Sequence, residues 1–144
     1  MLTGISPLIS PDLLKVLCEM GHGDEIVLAD AHFPGKTYRK RFLRADGIPI
    51  PLLLRAILPL FALDAGTSLF MMQTDDPSEL DPSVEQDYMA AVARTAPETP
   101  LPEHLSRVAF YDRAASAFAL VMTGETRPYG NLLLRKGVTP LLVL

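Results

Sequence analysis

The stretch "GHGDEIVLADAHFP", Gly21 to Pro34, sets His22, Asp24, Glu25, Asp30 and His32 around a short apolar run, Ile26 to Ala29. Three chemistries use such residues. Imidazole and carboxylate ligate zinc or manganese. A histidine, titrating near neutrality, is the usual general acid/base. Both types also satisfy backbone groups at turns and helix ends. Spacing speaks against metal: no two histidines stand at helical spacing as in H-E-x-x-H, and Asp30 and His32 share a face only if the strand continues through them. A metal-dependent hydrolase using His22, Asp30 and His32 stays open as an alternative.

For proton transfer, the glycines around His22 let a backbone approach a ligand closely. The competing local reading has His22 capping the carbonyls of a preceding helix, and pattern alone favours it. Asp24 and Glu25 read as turn and solvent-facing acids, and His104 as a surface residue. A second polar cluster, "GETRPYGN", carries Tyr129, Gly130 and Asn131. A phenol and an amide both give and accept hydrogen bonds, as sugar hydroxyls do, although "RPYGN" alone is an ordinary turn. Arg107, before "VAF", reads as a surface cation at a strand start. Lys36, Arg39, Lys40, Arg41 and Arg44 read as a solvated basic face.

These groups need elements to hold them. Ser10, Pro11 and Asp12 open a helix by capping, ring geometry and charge, with Leu13, Leu14, Leu17 and Cys18 as its apolar stripe and Gly21 as its C-cap. "EIVLAD" is a continuous apolar run and reads as a strand covered on both faces, with Asp30 at its carboxyl end, where open α/β sheets gather ligands. "RFLRAD" reads as a strand or an extended arm, and further strands are expected at "SLFMMQ", "SRVAFY", "FALVMTG" and "NLLLRKG". Helices are expected at "LLLRAILPLFAL", kinked or ended near Pro59, at "SVEQDYMAAVAR" and, short, at "DRAASA". "TAPETPLPE" reads as an exposed connection. Alternating strands and helices predict an α/β fold with a largely parallel sheet, in one domain spanning 1–144.

Composition narrows the function. The net charge of -4 gives no electrostatic case for nucleic-acid binding. The single cysteine, Cys18, forbids an internal disulfide, fits a reducing compartment and reads as a small buried hydrophobe. "MLTGISPLISPDLL" lacks the pattern of a signal peptide, and no apolar stretch reaches the roughly 18 residues of a membrane span. A cytoplasmic protein without membrane contact is expected. G-x-S-x-G, P-loop and dinucleotide fingerprints are absent.

Taken together, "ISPLISPDLLKVLCEMGHGDEIVLADAHFP", "LRADG", "RVAFYDRAASAFALVMTGE" and "YGNLLLRKGVTP" resemble the L-fucose mutarotase and D-ribose pyranase family over nearly the whole chain, in the same order. Arg107, Phe110 and Tyr111 look more like its fucose branch. The resemblance implies a three-layer α/β/α sandwich of the ribose-pyranase type with a mostly parallel central sheet. It implies an isomerase that interconverts the α and β anomers of a monosaccharide, L-fucose first, without cofactor or metal. By the same resemblance His22 is the catalytic residue, and Asp30, Arg107, Tyr129, Gly130, Asn131 and Tyr111 bind substrate. The second proton-transfer group is left between Tyr129 and Tyr111. Family members form rings, often decamers, so a homo-oligomer is implied, with a site able to borrow residues from a neighbouring subunit. A non-catalytic monosaccharide-binding ring protein is the other alternative.

Overall fold

A computed structural model describes residues 1–38 and 42–142. Arg39, Lys40 and Arg41 of the basic stretch, with Val143 and Leu144, lie outside the described residues. The chain runs α1 (Pro11–Glu19), β1 (Glu25–Ala29), α2 (Gly35–Tyr38), β2 (Phe42–Ala45), α3 (Ile50–Ile57), β3 (Leu69–Met72), α4 (Pro82–Ala93), β4 (Glu103–Leu105), α5 (Arg107–Ser116), β5 (Ala119–Thr123) and β6 (Leu132–Arg135). The six strands form one sheet in the order β2-β5-β1-β6-β3-β4. The pairs β2–β5, β1–β5 and β3–β4 are parallel, while β6 is antiparallel to β1 and β3.

Three layers follow from strands that are apolar on both faces. Ile26 and Leu28 of β1 point into a core shared with α1, α3 and α4; Val27 and Ala29 point into a second core shared with α5 and Phe33. The strand buries both faces, as its unbroken apolar run requires. Ser10 caps α1 through the Leu13 N–H, as its position predicts. Pro59 ends α3 in a 3-10 turn, Leu58–Leu60.

Several expectations are corrected. "SRVAFY" is the start of helix α5, not a strand. Ser106 accepts the Ala109 N–H as N-cap, and Phe110 and Ala114 bury at helical spacing. A four-residue apolar run does not separate strand from helix, and the cap decides it. Edge strand β4 lies at the end of the proline-rich connection. Cys18 is exposed, because Leu13, Val16 and Leu17 form the buried stripe of α1. Met20, extended, caps that helix in place of Gly21. Glu25 is not solvent-facing: Arg113 and Arg135 both bond its largely shielded carboxylate.

Gly124, after β5, shows how tightly the sheet edge is packed. An added Cβ there would stand 2.6 Å from the Gly47 carbonyl carbon and 2.7 Å from the Ile48 nitrogen. Neither backbone atom can move aside cheaply, and the Gly124 N–H already bonds the Ile48 carbonyl at 2.8 Å. Gly124→Ala should lose about 1–3 kcal/mol of stability, read in a denaturant melt.

Candidate active site

The reversed strand β6 explains how residues a hundred positions apart meet. A parallel strand would enter beside β1 at its amino end. Because β6 runs the other way, it begins beside the carboxyl end of β1, with Leu132 opposite Leu28. The turn 124–131 therefore crosses directly over Asp30. There the Asp30 N–H donates to Asn131 Oδ1 at 2.8 Å, and the Gly130 N–H donates to Asp30 Oδ2 at 3.2 Å. The His32 N–H donates to Asp30 Oδ1 at 3.0 Å.

Asp30 is thus a buried carboxylate held by two backbone donors. Burial pushes its pKa up, against the opposing pull of the backbone N–H groups of His32, Gly130 and Phe33 and of the His32 charge. A carboxylate has about four lone-pair sites, so acceptor capacity remains for a ligand hydroxyl. Asn131 spends its carbonyl oxygen on the Asp30 N–H, so its amide nitrogen is the donor it can offer.

A cavity of about 500 Å³ opens over these groups, lined by Asp30, His32, Asn131, Arg107, Tyr111 and Tyr129, with Phe33, Pro34, Met72, Glu79 and Pro128 completing the wall. Helix α5 supplies two of its residues one turn apart, Arg107 and Tyr111. Tyr111 stacks on Tyr38 at 4.8 Å and meets Phe33 edge-on at 5.4 Å, which fixes an aromatic wall. Arg107 is exposed at the rim, 3.8 Å from Asp75.

A partly buried network braces the turn from behind. Arg127 forks onto both oxygens of Glu125, at 2.9 and 3.0 Å, and reaches Asp87 on α4 at 2.7 Å. Burial pushes Glu125 up, but the bonds and charge of Arg127 outweigh it and hold the carboxyl below its usual range. Tyr88 of α4, fully buried, donates its hydroxyl to the Gly130 carbonyl at 2.6 Å. Burial first, then the Glu125 charge, pushes the Tyr88 phenol far up, so it stays a donor. Tyr88→Phe would orphan the Gly130 carbonyl and should cost about 1–3 kcal/mol in a denaturant melt, with looser binding at the cavity.

Among the residues singled out from sequence, Asp30, Arg107, Tyr111, Tyr129 and Asn131 line one cavity, and Gly130 anchors it through its backbone. His22 does not join them. It lies before β1 and Asp30 after it, so the five strand residues, at about 3.3 Å each, put them at opposite ends of the sheet, roughly 16 Å apart. Asp30 therefore does not orient His22 within one chain. Nor does His22 cap α1: its Nε2 sits 3.0 Å from Asp64 Oδ1, with the imidazole side chain 60% exposed. The same separation splits the metal set His22, Asp30 and His32, and no group of three or more candidate ligands converges among the described residues. His32 takes a place at the cavity rim, its Nε2 3.2 Å from the Thr126 carbonyl oxygen. His104 is exposed and faces Glu85 at 3.3 Å.

Glu79, Met72 and Asp64 escaped the sequence reading. Glu79 sat in a polar loop with no spacing signal, Met72 read only as core strand, and Asp64 meets His22 across 42 positions.

Comparison with known proteins places this arrangement. Residues 3–139 match the RbsD / FucU transport protein family. The L-fucose mutarotase of Glaesserella parasuis is 55% identical over 144 residues, covering 99% of each chain. The crystal structure of the fucose mutarotase from Streptococcus pneumoniae in complex with L-fucose superposes with a TM-score of 0.89 at 42% identity, covering 96% of this chain and all of that one. RbsD of Bacillus subtilis, solved with D-ribose, shares the fold at 22% identity, a TM-score of 0.72 and 97% coverage of this chain. These likenesses agree with the α/β fold described above, and the chain belongs to the RbsD / FucU transport protein family.

Proposed function

We propose that the protein is a sugar mutarotase that interconverts the α and β anomers of L-fucose. The observation that carries this reading is the cavity lining. A buried carboxylate, an amide, a phenol and a guanidinium converge beside an aromatic wall, the pairing of hydrogen-bonding groups and apolar surface that a monosaccharide needs. The names of the similar mutarotases, and the L-fucose bound in one of them, support the same substrate.

Mutarotation takes a proton from the anomeric hydroxyl and delivers one to the ring oxygen. The bond from the anomeric carbon to the ring oxygen breaks, and the carbonyl forms. Rotation about the next carbon–carbon bond and reversal of the steps closes the other anomer. In this reading Asp30 accepts a sugar hydroxyl, Asn131 and Arg107 donate to sugar oxygens, and Tyr111 and Tyr129 bound the ring. Arg107 also stabilises the oxyanion that develops.

His22 supplies acid/base chemistry from a second copy of the chain. Its ring is presented outward, and Asp64 fixes Nε2, leaving Nδ1 as the nitrogen available to substrate. The surrounding surface suits contact with another copy. Gly23 bonds Lys136, and Val138, Leu141 and Leu142 just beyond it are all exposed. A head-to-tail contact that joins the His22 corner of one copy to the cavity of the next closes into a ring.

NMR saturation transfer between the anomeric protons of L-fucose tests the reaction. Protein-dependent exchange, unchanged by chelator, is the expected result. Binding of L-fucose without exchange would replace the enzyme with a binding protein.

A further inference from the structure

The outer wall of the cavity belongs to the chain between β3 and α4. This strap is folded on itself by short-range bonds. The Asp76 N–H donates to Thr74 Oγ1 at 3.0 Å, and the Ser78 N–H and hydroxyl both donate to Asp76 Oδ1, at 2.9 and 2.8 Å. Those bonds occupy Asp76 and leave two acids of the strap facing the site. Asp75 stands 3.8 Å from Arg107, and Glu79 Oε2 accepts the Tyr129 hydroxyl at 2.9 Å.

Tyr129 has a φ of +56°, a region that a residue with a Cβ seldom adopts. Its backbone is fixed by the turn, and Gly130 is pinned on both sides, by Tyr88 and by Asp30. The ring, by contrast, is held at its tip by Glu79. A phenol has one proton to give and two lone pairs to accept with. With the proton committed to Glu79 and the Thr74 side chain beside it, the oxygen has only acceptor capacity left to offer a ligand.

We propose that Glu79 is a positioning residue of the sugar site: it takes the Tyr129 proton, fixes that phenol as a hydrogen-bond acceptor for a sugar hydroxyl, and removes it from the groups that could protonate the ring oxygen. The inference rests on the sugar-site reading above. It assigns the open choice between the two tyrosines: Tyr129 gives its proton to Glu79, while no carboxylate among the described residues accepts from the Tyr111 hydroxyl. The bond to Glu79, opposed by Thr74 and aided by the charges of Glu79 and Asp75, also holds the Tyr129 phenol above its ordinary range, so it stays protonated through neutral pH.

The test is a double-mutant cycle on L-fucose anomer exchange, with Glu79→Ala, Tyr129→Phe, both together, and Glu79→Gln. Each single loss should raise KM by about 3- to 30-fold with kcat changed less than about twofold, because a binding contact is lost and no proton carrier. The double variant should be no worse than Tyr129→Phe. Glu79→Gln should recover most of the loss, since its amide oxygen still accepts from the phenol. In protein carrying ring-labelled tyrosine, the Tyr129 signal should titrate at lower pH in Glu79→Ala. An unchanged KM in Glu79→Ala, additive losses in the cycle, or a fall in kcat at constant KM would overturn the proposal. Wild-type protein without exchange or fucose binding would overturn the sugar-site reading instead, and the Tyr129 titration would still report whether Glu79 holds the phenol.

Discussion

Replacing His22 by alanine should slow anomer exchange by about 10²- to 10⁴-fold, the usual worth of a positioned acid/base group. The fold should survive. The imidazole is exposed, and its one polar partner among the described residues is Asp64, in a surface pair of the kind that contributes roughly 1 kcal/mol or less. L-fucose should still bind, because the groups that line the cavity lie at the other end of β1. Saturation transfer gives the rate, a fucose titration the affinity, and circular dichroism the fold. Turnover close to wild type would take His22 out of the mechanism.

Asp30 should give the opposite pattern. Asp30→Asn keeps the size but puts an NH₂ donor where one of two backbone N–H groups now finds an acceptor. Either the amide turns and leaves the Gly130 N–H unpaired, or it turns the other way and leaves the His32 N–H unpaired. A hydrogen bond to a charged group contributes about 1.5–3 kcal/mol, so kcat/KM should fall by roughly 10- to 150-fold, mostly through KM. Stability should drop as well, since the 124–131 turn loses its anchor on β1. Unchanged affinity for L-fucose in Asp30→Asn would show that the sugar lies elsewhere.

These two variants separate what the sequence made legible from what it did not. Strand β1 was readable because its unbroken apolar run has one physical solution, burial on both faces, and that placed Asp30 at the carboxyl edge. The cap at Ser10 and the break at Pro59 were readable because each acts within a few residues. Helix α5 is hard to read from sequence because "VAFY" suits either period, and only the cap at Ser106 decides for a helix. The consequence reached the site, since only a helix sets Arg107 and Tyr111 one turn apart on the same wall.

Other features were not local at all. Nothing in "DAGTS" marks Asp64 as the partner of His22, and nothing in "DPSEL" marks Glu79 as the partner of Tyr129; each pair forms only when distant segments meet. The direction of β6 was equally hidden, although it is what carries Gly130 and Asn131 to Asp30. Residue types identified the chemistry, but pairing and strand direction decided which groups share a cavity. His22 is the sharpest instance. It stands eight positions from Asp30 and points toward solvent at the far end of the same strand.

That separation makes subunit mixing the most direct test of the central claim, an acid/base group and a sugar cradle supplied by different copies. His22→Ala and Arg107→Ala protein, each slow alone, would be unfolded, combined in equal amounts and refolded together. Random assembly pairs an intact His22 with an intact Arg107 in about one quarter of sites, so the mixture should recover about one quarter of wild-type exchange. Mixed oligomers, verified by native mass spectrometry, that stay as slow as their parents would contradict a site shared between copies.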